Sequence, residues 1–254
     1  MWKWIGAMVL LVSGPAWAQE VDAKQAEEAL AKFRAEYKGA ASDRAAAVTA
    51  LAQVQHEKTL FKLGNILMGD PDPSVRVAAA RAIGTWKENK SKAAAVLVNA
   101  LGPNANDPEV RVEIFKALGA LEDPLPLDAV HRAFKEKDAK VAKAAIECAG
   151  EIRNRSSIPV LIDYLDDMER RTHTGGSGGG SVAGLHIPGG GGDDPQTKRA
   201  KELVPALQKA LQTITLERYT DPKDWETWWK RNEATFKVPP KPPEPPSSNK
   251  KKKK

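Results

Sequence analysis

The sequence predicts an all-α solenoid, a superhelix of about five antiparallel helix pairs. Three observations point there. A block from Asp72-Pro73 to Gly84 returns at Asp107-Pro108 to Gly119 and again at Asp138-Ala139 to Gly150, at offsets of 35 and 31 residues. A period in this range marks one supersecondary unit stacked on copies of itself. Each block carries a single apolar stripe at helical spacing, and each is preceded by a second amphipathic stretch.

The stripes run Val75, Ala79, Ala82 and Ile83; then Val110, Ile114, Ala117 and Leu118; then Val141, Ala145, Cys148 and Ala149. Asp72 is a good N-cap, and Pro73 suits a first helical position. Gly84, Gly119 and Gly150 fall near the helix ends, where glycine either takes a left-handed cap or permits close packing. The preceding partner helices are expected over Thr59 to Met68, Ala93 to Leu101 and Leu127 to Phe134, with a further one from Ser157 to Leu165. Asp70-Pro71, Gly102-Pro103 and Asp123-Pro124 punctuate the joins.

Flanking segments extend the array. Val21 to Tyr37 reads as an N-terminal capping helix. Asp43 to Val54 reads as an earlier second helix, with Ala47, Ala50 and Leu51 preceding Ala79, Ala82 and Ile83 by 32 residues. Lys198 to Thr213 completes the last pair, and Pro205 is expected to kink that helix or mark its start. Asp221-Pro222 opens a final helix, with Trp225, Trp228 and Trp229 on one face and Phe236 beyond. That face either closes the exposed end of the last repeat or binds a carbohydrate or peptide.

The chain ends differ in character. Residues 1–18 read as a cleaved secretory signal: Lys3, the apolar stretch Ile5 to Val12, the Gly14-Pro15 break and the small-x-small site Ala16-Trp17-Ala18. The apolar stretch falls short of the roughly 20 residues a membrane span needs. An exported bacterial protein is therefore expected, periplasmic or extracellular, with no transmembrane segment after cleavage. Residues 19–238 form the repeat domain. Residues 239–254, proline-rich and then Lys250 to Lys254, are expected to be a disordered tail.

Net charge is +6, but Lys3 and the five terminal lysines account for all of it, so residues 19–249 are neutral. The basic character belongs to the tail, which argues against a specific nucleic-acid-binding domain. The lysine run is a candidate contact with an anionic envelope surface. Cys148, the only cysteine, excludes an internal disulfide framework and aligns with Ala82 and Ala117 as a small packing residue.

The motif Asp-Pro-x-Val-Arg-x-x-Ala-x-x-Ala-Leu/Ile-Gly resembles the second-helix signature of short bacterial HEAT-like repeats, also seen in phycobilisome-lyase-type proteins. Asp72, Pro73, Val75, Arg76 and Gly84 match it, as do Asp107, Pro108, Val110, Arg111 and Gly119. The third block keeps Asp138, Val141 and Gly150 but has Ala142 in place of the arginine. The tryptophans after Asp221-Pro222 resemble the closing segment of exported members of that group. The resemblance covers about residues 40 to 236. It implies second helices lining a concave face and a role in holding a protein partner. It also brings a lyase-type activity as a rival, which acts on a pigment in the cytosol and conflicts with the signal.

Two sets of residues stand out as candidate sites. Arg76, Arg81, Arg111 and Lys116 recur at equivalent positions on second helices. Arg76 and Arg111 are placed to pair with the repeated aspartates in a ladder. Arg81 and Lys116 stand outside that ladder as candidates for an acidic partner segment, with Glu147 breaking the stripe in the third block. The insertion Thr172 to Asp194 holds ten of the 19 glycines. It reads as a flexible loop, and a flap over the partner is one role for it. His173, His186, Asp193 and Asp194 within it fit no standard metal spacing. No metal or cofactor is expected. Neither a Ser/His/Asp set nor a paired-carboxylate motif is legible, so an enzyme is not expected.

Overall fold

The computed structural model describes residues 16–174, 181–182, 185–186 and 194–242. Residues 1–15 of the expected signal (residues 1–18), Asp193 and the tail from residue 243 lie outside the described residues.

Eleven helices are described: α1 (Ala16–Glu36), α2 (Ala41–Leu51), α3 (Glu57–Gly69), α4 (Pro73–Gly84), α5 (Lys90–Ala100), α6 (Pro108–Leu121), α7 (Leu127–Ala133), α8 (Ala139–Ile152), α9 (Ser157–Thr174), α10 (Pro195–Thr215) and α11 (Pro222–Asn232). The insertion contributes a two-residue antiparallel ladder, Ser181 opposite His186 and Val182 opposite Leu185. The all-α expectation holds. Among the described residues no helix is long and apolar enough to cross a membrane.

The chain gathers into two compact units, residues 1–117 and 118–254. In the first, α3 packs on α4, α2 on α4, and α3 on α5, so first helices and second helices form two layers. Val75, Ala79 and Ile83 of α4 are fully buried. On α2 the buried residues are Ala47, Val48 and Leu51, while Ala50 faces solvent. The stripe on that helix is therefore rotated from the expected one. Val48 takes a core place because α2 must meet both α1 and α4. Gln55 ties consecutive repeats at their turns: its amide donates to the Thr85 carbonyl at 3.0 Å and accepts from the Lys87 N–H at 2.9 Å.

In the second unit α10 packs on α8 and α9, α7 on α8, and α11 on α9. Asp138 caps α8 by accepting from the N–H groups of Lys140 and Val141, and Asp221 caps α11 by accepting from that of Lys223. Pro205 lies inside α10, which starts ten residues earlier at Pro195. The proline therefore does not mark a helix start. The N–H it lacks is replaced energetically by a face of buried apolar groups, including Leu203, Ala206, Leu207 and Leu211.

The three repeat glycines resolve in favour of close packing. A Cβ on Gly84 would lie 2.9 Å from both Cα and Cβ of Ala117, and one on Gly150 would lie 3.0 Å from Cα of Ala210. None of them has positive φ. Among non-glycine residues, Glu122, Arg153 and Leu216 take the left-handed conformation after α6, α8 and α10.

Candidate interaction surface

In the N-terminal unit the second helices bury one face and present the other. The repeat offsets of 32 and 35 align three rows across α2, α4 and α6. Ala45, Val77 and Val112 form a half-buried apolar row. Ala46, Ala78 and Glu113 lie beside it. Thr49, Arg81 and Lys116 form an exposed polar row.

Arg81 grips Glu113 with two bonds, Nε to Oε1 at 2.9 Å and Nη2 to Oε2 at 3.3 Å. Lys116 Nζ lies 3.6 Å from the same carboxylate. Burial pushes the Glu113 carboxyl up, but the Arg81 bond and the Lys116 charge outweigh it and hold the group below its usual range. The sequence left Arg81 and Lys116 without an intramolecular partner; the structure gives both the same one. Glu113 went unnoticed because its acidic side chain matches no other block, where Ala78 and Ala144 stand. The two cations still outnumber the carboxylate, and their side chains are 65% and 59% exposed.

Arg76 behaves as the ladder reading requires. Its Nη2 lies 2.9 Å from Asp107 Oδ2 of the next repeat, and its Nη1 donates to the Asp70 carbonyl at 2.5 Å. The side chain is 12% exposed, so this guanidinium is structural. Arg111 is half-buried and also partnered.

Asp70 anchors a second network. Its carboxylate accepts from Tyr37 Oη, from Arg44 Nε at 3.1 Å and Nη2 at 3.0 Å, and from the Asp72 N–H at 2.8 Å. These contacts join the segment after α1, helix α2 and the end of α3. An open groove of about 580 Å³ between α1 and α3 is lined by Leu30, Phe33, Phe61 and charged neighbours, and Phe61 is 68% exposed.

In the C-terminal unit the aromatic segment divides. Trp225 is fully buried, donates from Nε1 to the Tyr219 carbonyl at 3.1 Å, and stands edge-on to Tyr219 and Trp228. Trp228, Trp229 and Phe236 stay half-buried around it, with Arg155 lying 5.7 Å from the Trp229 ring centre. Helix α11 packs on α9 with Trp225 buried, and the other two tryptophans form a partly exposed rim.

The insertion is shorter than expected. Helix α9 continues to Thr174, so His173 lies in its last turn. Asp194 is an N-cap: Oδ1 accepts from the Gln196 N–H at 2.8 Å and the Thr197 N–H at 3.1 Å, and Oδ2 accepts from Thr197 Oγ1 at 2.8 Å. His186 lies in the short ladder. Among the described residues no cluster of potential metal ligands occurs.

One pairing was illegible in the sequence. His131 Nε2 lies 2.9 Å from Ser157 Oγ, joining α7 to α9. Ser157 is fully buried, so no substrate reaches its hydroxyl. Burial holds the imidazole below its usual range, against the opposing charge of Asp128. The pair is a packing contact between helices.

A family model of HEAT repeats matches residues 28–104 and 96–174, more than half of the chain. The chain belongs to the HEAT repeat family. The matched HEAT repeats run from within α1 to the end of α9, and the insertion, α10 and α11 follow them. HEAT repeats generally mediate protein–protein interaction. No curated protein matches the chain.

Proposed function

We propose that this HEAT repeat chain is an exported, non-catalytic scaffold. Its second-helix face in the N-terminal unit receives an acidic, partly apolar segment of a protein partner. The observation that carries this reading is the exposed pair Arg81 and Lys116 around one carboxylate, set beside the half-buried row Ala45, Val77 and Val112. An exposed ion pair is worth only about 0.2–1 kcal/mol, so Glu113 is readily outcompeted by a partner carboxylate. The neighbouring apolar row supplies area that such a segment buries. Export rests on the pattern Lys3, Ile5 to Val12 and Ala16-Trp17-Ala18.

A photo-crosslinking residue placed at Ala78, inside this face, tests the reading in cells. It captures a defined partner, and Arg81→Glu with Lys116→Glu abolishes the capture. The same residue at Lys92 on the first-helix layer captures nothing specific. Equal capture from both positions, or capture indifferent to the charge reversal, refutes the reading.

A further inference from the structure

Besides Leu216 after α10, two charged residues in the C-terminal unit hold a backbone conformation that side chains rarely adopt. Glu122, just past α6, has φ 54°, and Arg153, just past α8, has φ 52°. They lie 31 residues apart, the offset that relates the second and third blocks. Glycine or asparagine normally fills such a position, since a Cβ is strained there. A charged residue kept there at two equivalent sites points to a use for its side chain.

Both side chains reach the same short stretch of chain. Arg153 Nη2 donates to the Pro239 carbonyl at 2.8 Å, and Glu122 Oε1 receives Lys241 Nζ at 2.6 Å. Glu151 Oε2 lies 4.0 Å from the same ammonium. Arg155, two residues on from Arg153, donates to the carbonyl of Glu233, six residues before Pro239. Residues 239–242, expected to open the tail, are thus attached to the repeat. The stretch reads Val238-Pro239-Pro240-Lys241-Pro242. Its prolines fix φ and carry no N–H, so it favours polyproline II and is recognised through carbonyls and side chains. Arg153 supplies a carbonyl donor, and the two glutamates supply a lysine receptor two residues on.

We propose that Glu122, Glu151 and Arg153 form a recognition site for a proline-rich segment carrying a lysine, and that the chain's own Pro239–Pro242 fills it in cis. A proline-rich segment of a partner protein displaces the strap. The strap is covalently tethered only a few residues beyond α11, so its effective concentration is on the order of millimolar. It therefore excludes weak competitors. This site rests on observations independent of the second-helix face in the other unit.

The test uses a fluorescent peptide of residues 238–246, Val-Pro-Pro-Lys-Pro-Pro-Glu-Pro-Pro, followed by anisotropy against the full chain. Lys241→Glu weakens the strap and sets a like charge against Glu122. It raises affinity for the free peptide by about tenfold or more over the unsubstituted chain. Adding Glu122→Gln and Glu151→Gln to that variant removes the gain, and a peptide with glutamate in place of its lysine does not bind. Unchanged affinity in Lys241→Glu, absence of binding to it, or indifference to the glutamate substitutions overturns the proposal. A second measurement needs no variant. Lys241 is half exposed even in the strap, so millimolar peptide added to the unsubstituted chain acts by freeing its ammonium from Glu122, which quickens its amine acylation, read by mass spectrometry. Acylation of Lys241 that does not change with peptide also overturns it.

Discussion

Gly84→Ala isolates the contact that sets the spacing of the second helices. The new Cβ would lie 2.9 Å from Cα and from Cβ of Ala117, nearer than carbon atoms pack. Neither of those atoms moves by a change of rotamer, so α4 and α6 must separate. Overpacking of this kind costs about 1–3 kcal/mol, and a clash with backbone lies in the upper half of that range. Replacing glycine by alanine inside a helix returns roughly 1 kcal/mol through propensity. The net result is a loss of about 1–2 kcal/mol, or a fall of several degrees in Tm for a unit of this size. Gly69→Ala is the internal control. Nothing lies within 4 Å of a Cβ there, at the end of α3, so its stability stays level or rises slightly. Urea and thermal unfolding followed by circular dichroism read both. If Gly84→Ala is as stable as Gly69→Ala, close approach of the helices is not why the glycine is there.

Three further outcomes follow from the packing. Burial raises the Asp70 carboxyl, yet the bonds from Arg44, Tyr37 and the Asp72 N–H overcome it and leave the folded pKa below the usual range. Its stabilisation is therefore complete above the unfolded pKa, about 4, and fades as pH falls through the lower folded value. In Asp70→Asn the urea midpoint drops at pH 7 and changes less between pH 7 and pH 3 than in the native chain; parallel curves contradict this. Trp225→Ala empties a fully buried site and costs about 3–5 kcal/mol, whereas Trp228→Ala, at the half-exposed rim, costs far less; equal losses in thermal unfolding rule out Trp225 as the cap. Burial pushes the Cys148 thiol far up, so a disulfide reagent labels it only as the chain unfolds; rapid labelling of native protein disproves its packing role.

The sequence discloses what repeats. Asp72 and Asp138 cap, Val75 and Val141 pack, and Arg76 meets Asp107, because each position occurs in several copies whose shared chemistry shows through. Features that occur once stay hidden. The Glu113 carboxylate between Arg81 and Lys116 has alanine at the equivalent places, so periodicity gave no reason to look there. Asn104, buried with its amide donating to the Leu67 and Ala100 carbonyls, lies in a turn that reads only as a glycine–proline join. Asp194 looked like part of a glycine-rich loop because helix α10 begins ahead of its apolar stripe. Glu122 and Arg153 carry no sequence mark of a left-handed backbone, since the signal for that conformation is the glycine they replace.

The insertion between α9 and α10 is held at its base. Arg171 Nη1 donates to Gln196 Oε1 at 2.7 Å, Thr197 Oγ1 lies 3.3 Å from the Arg171 carbonyl, and Asp194 locks the first turn of α10. With both ends fixed by the helices, lengthening the connection costs only the slow logarithm of loop closure, about 0.6 kcal/mol per doubling. This makes the α9–α10 junction a port: a place where a whole foreign domain, an affinity handle or an optical reporter is spliced in without disturbing the helices that flank it.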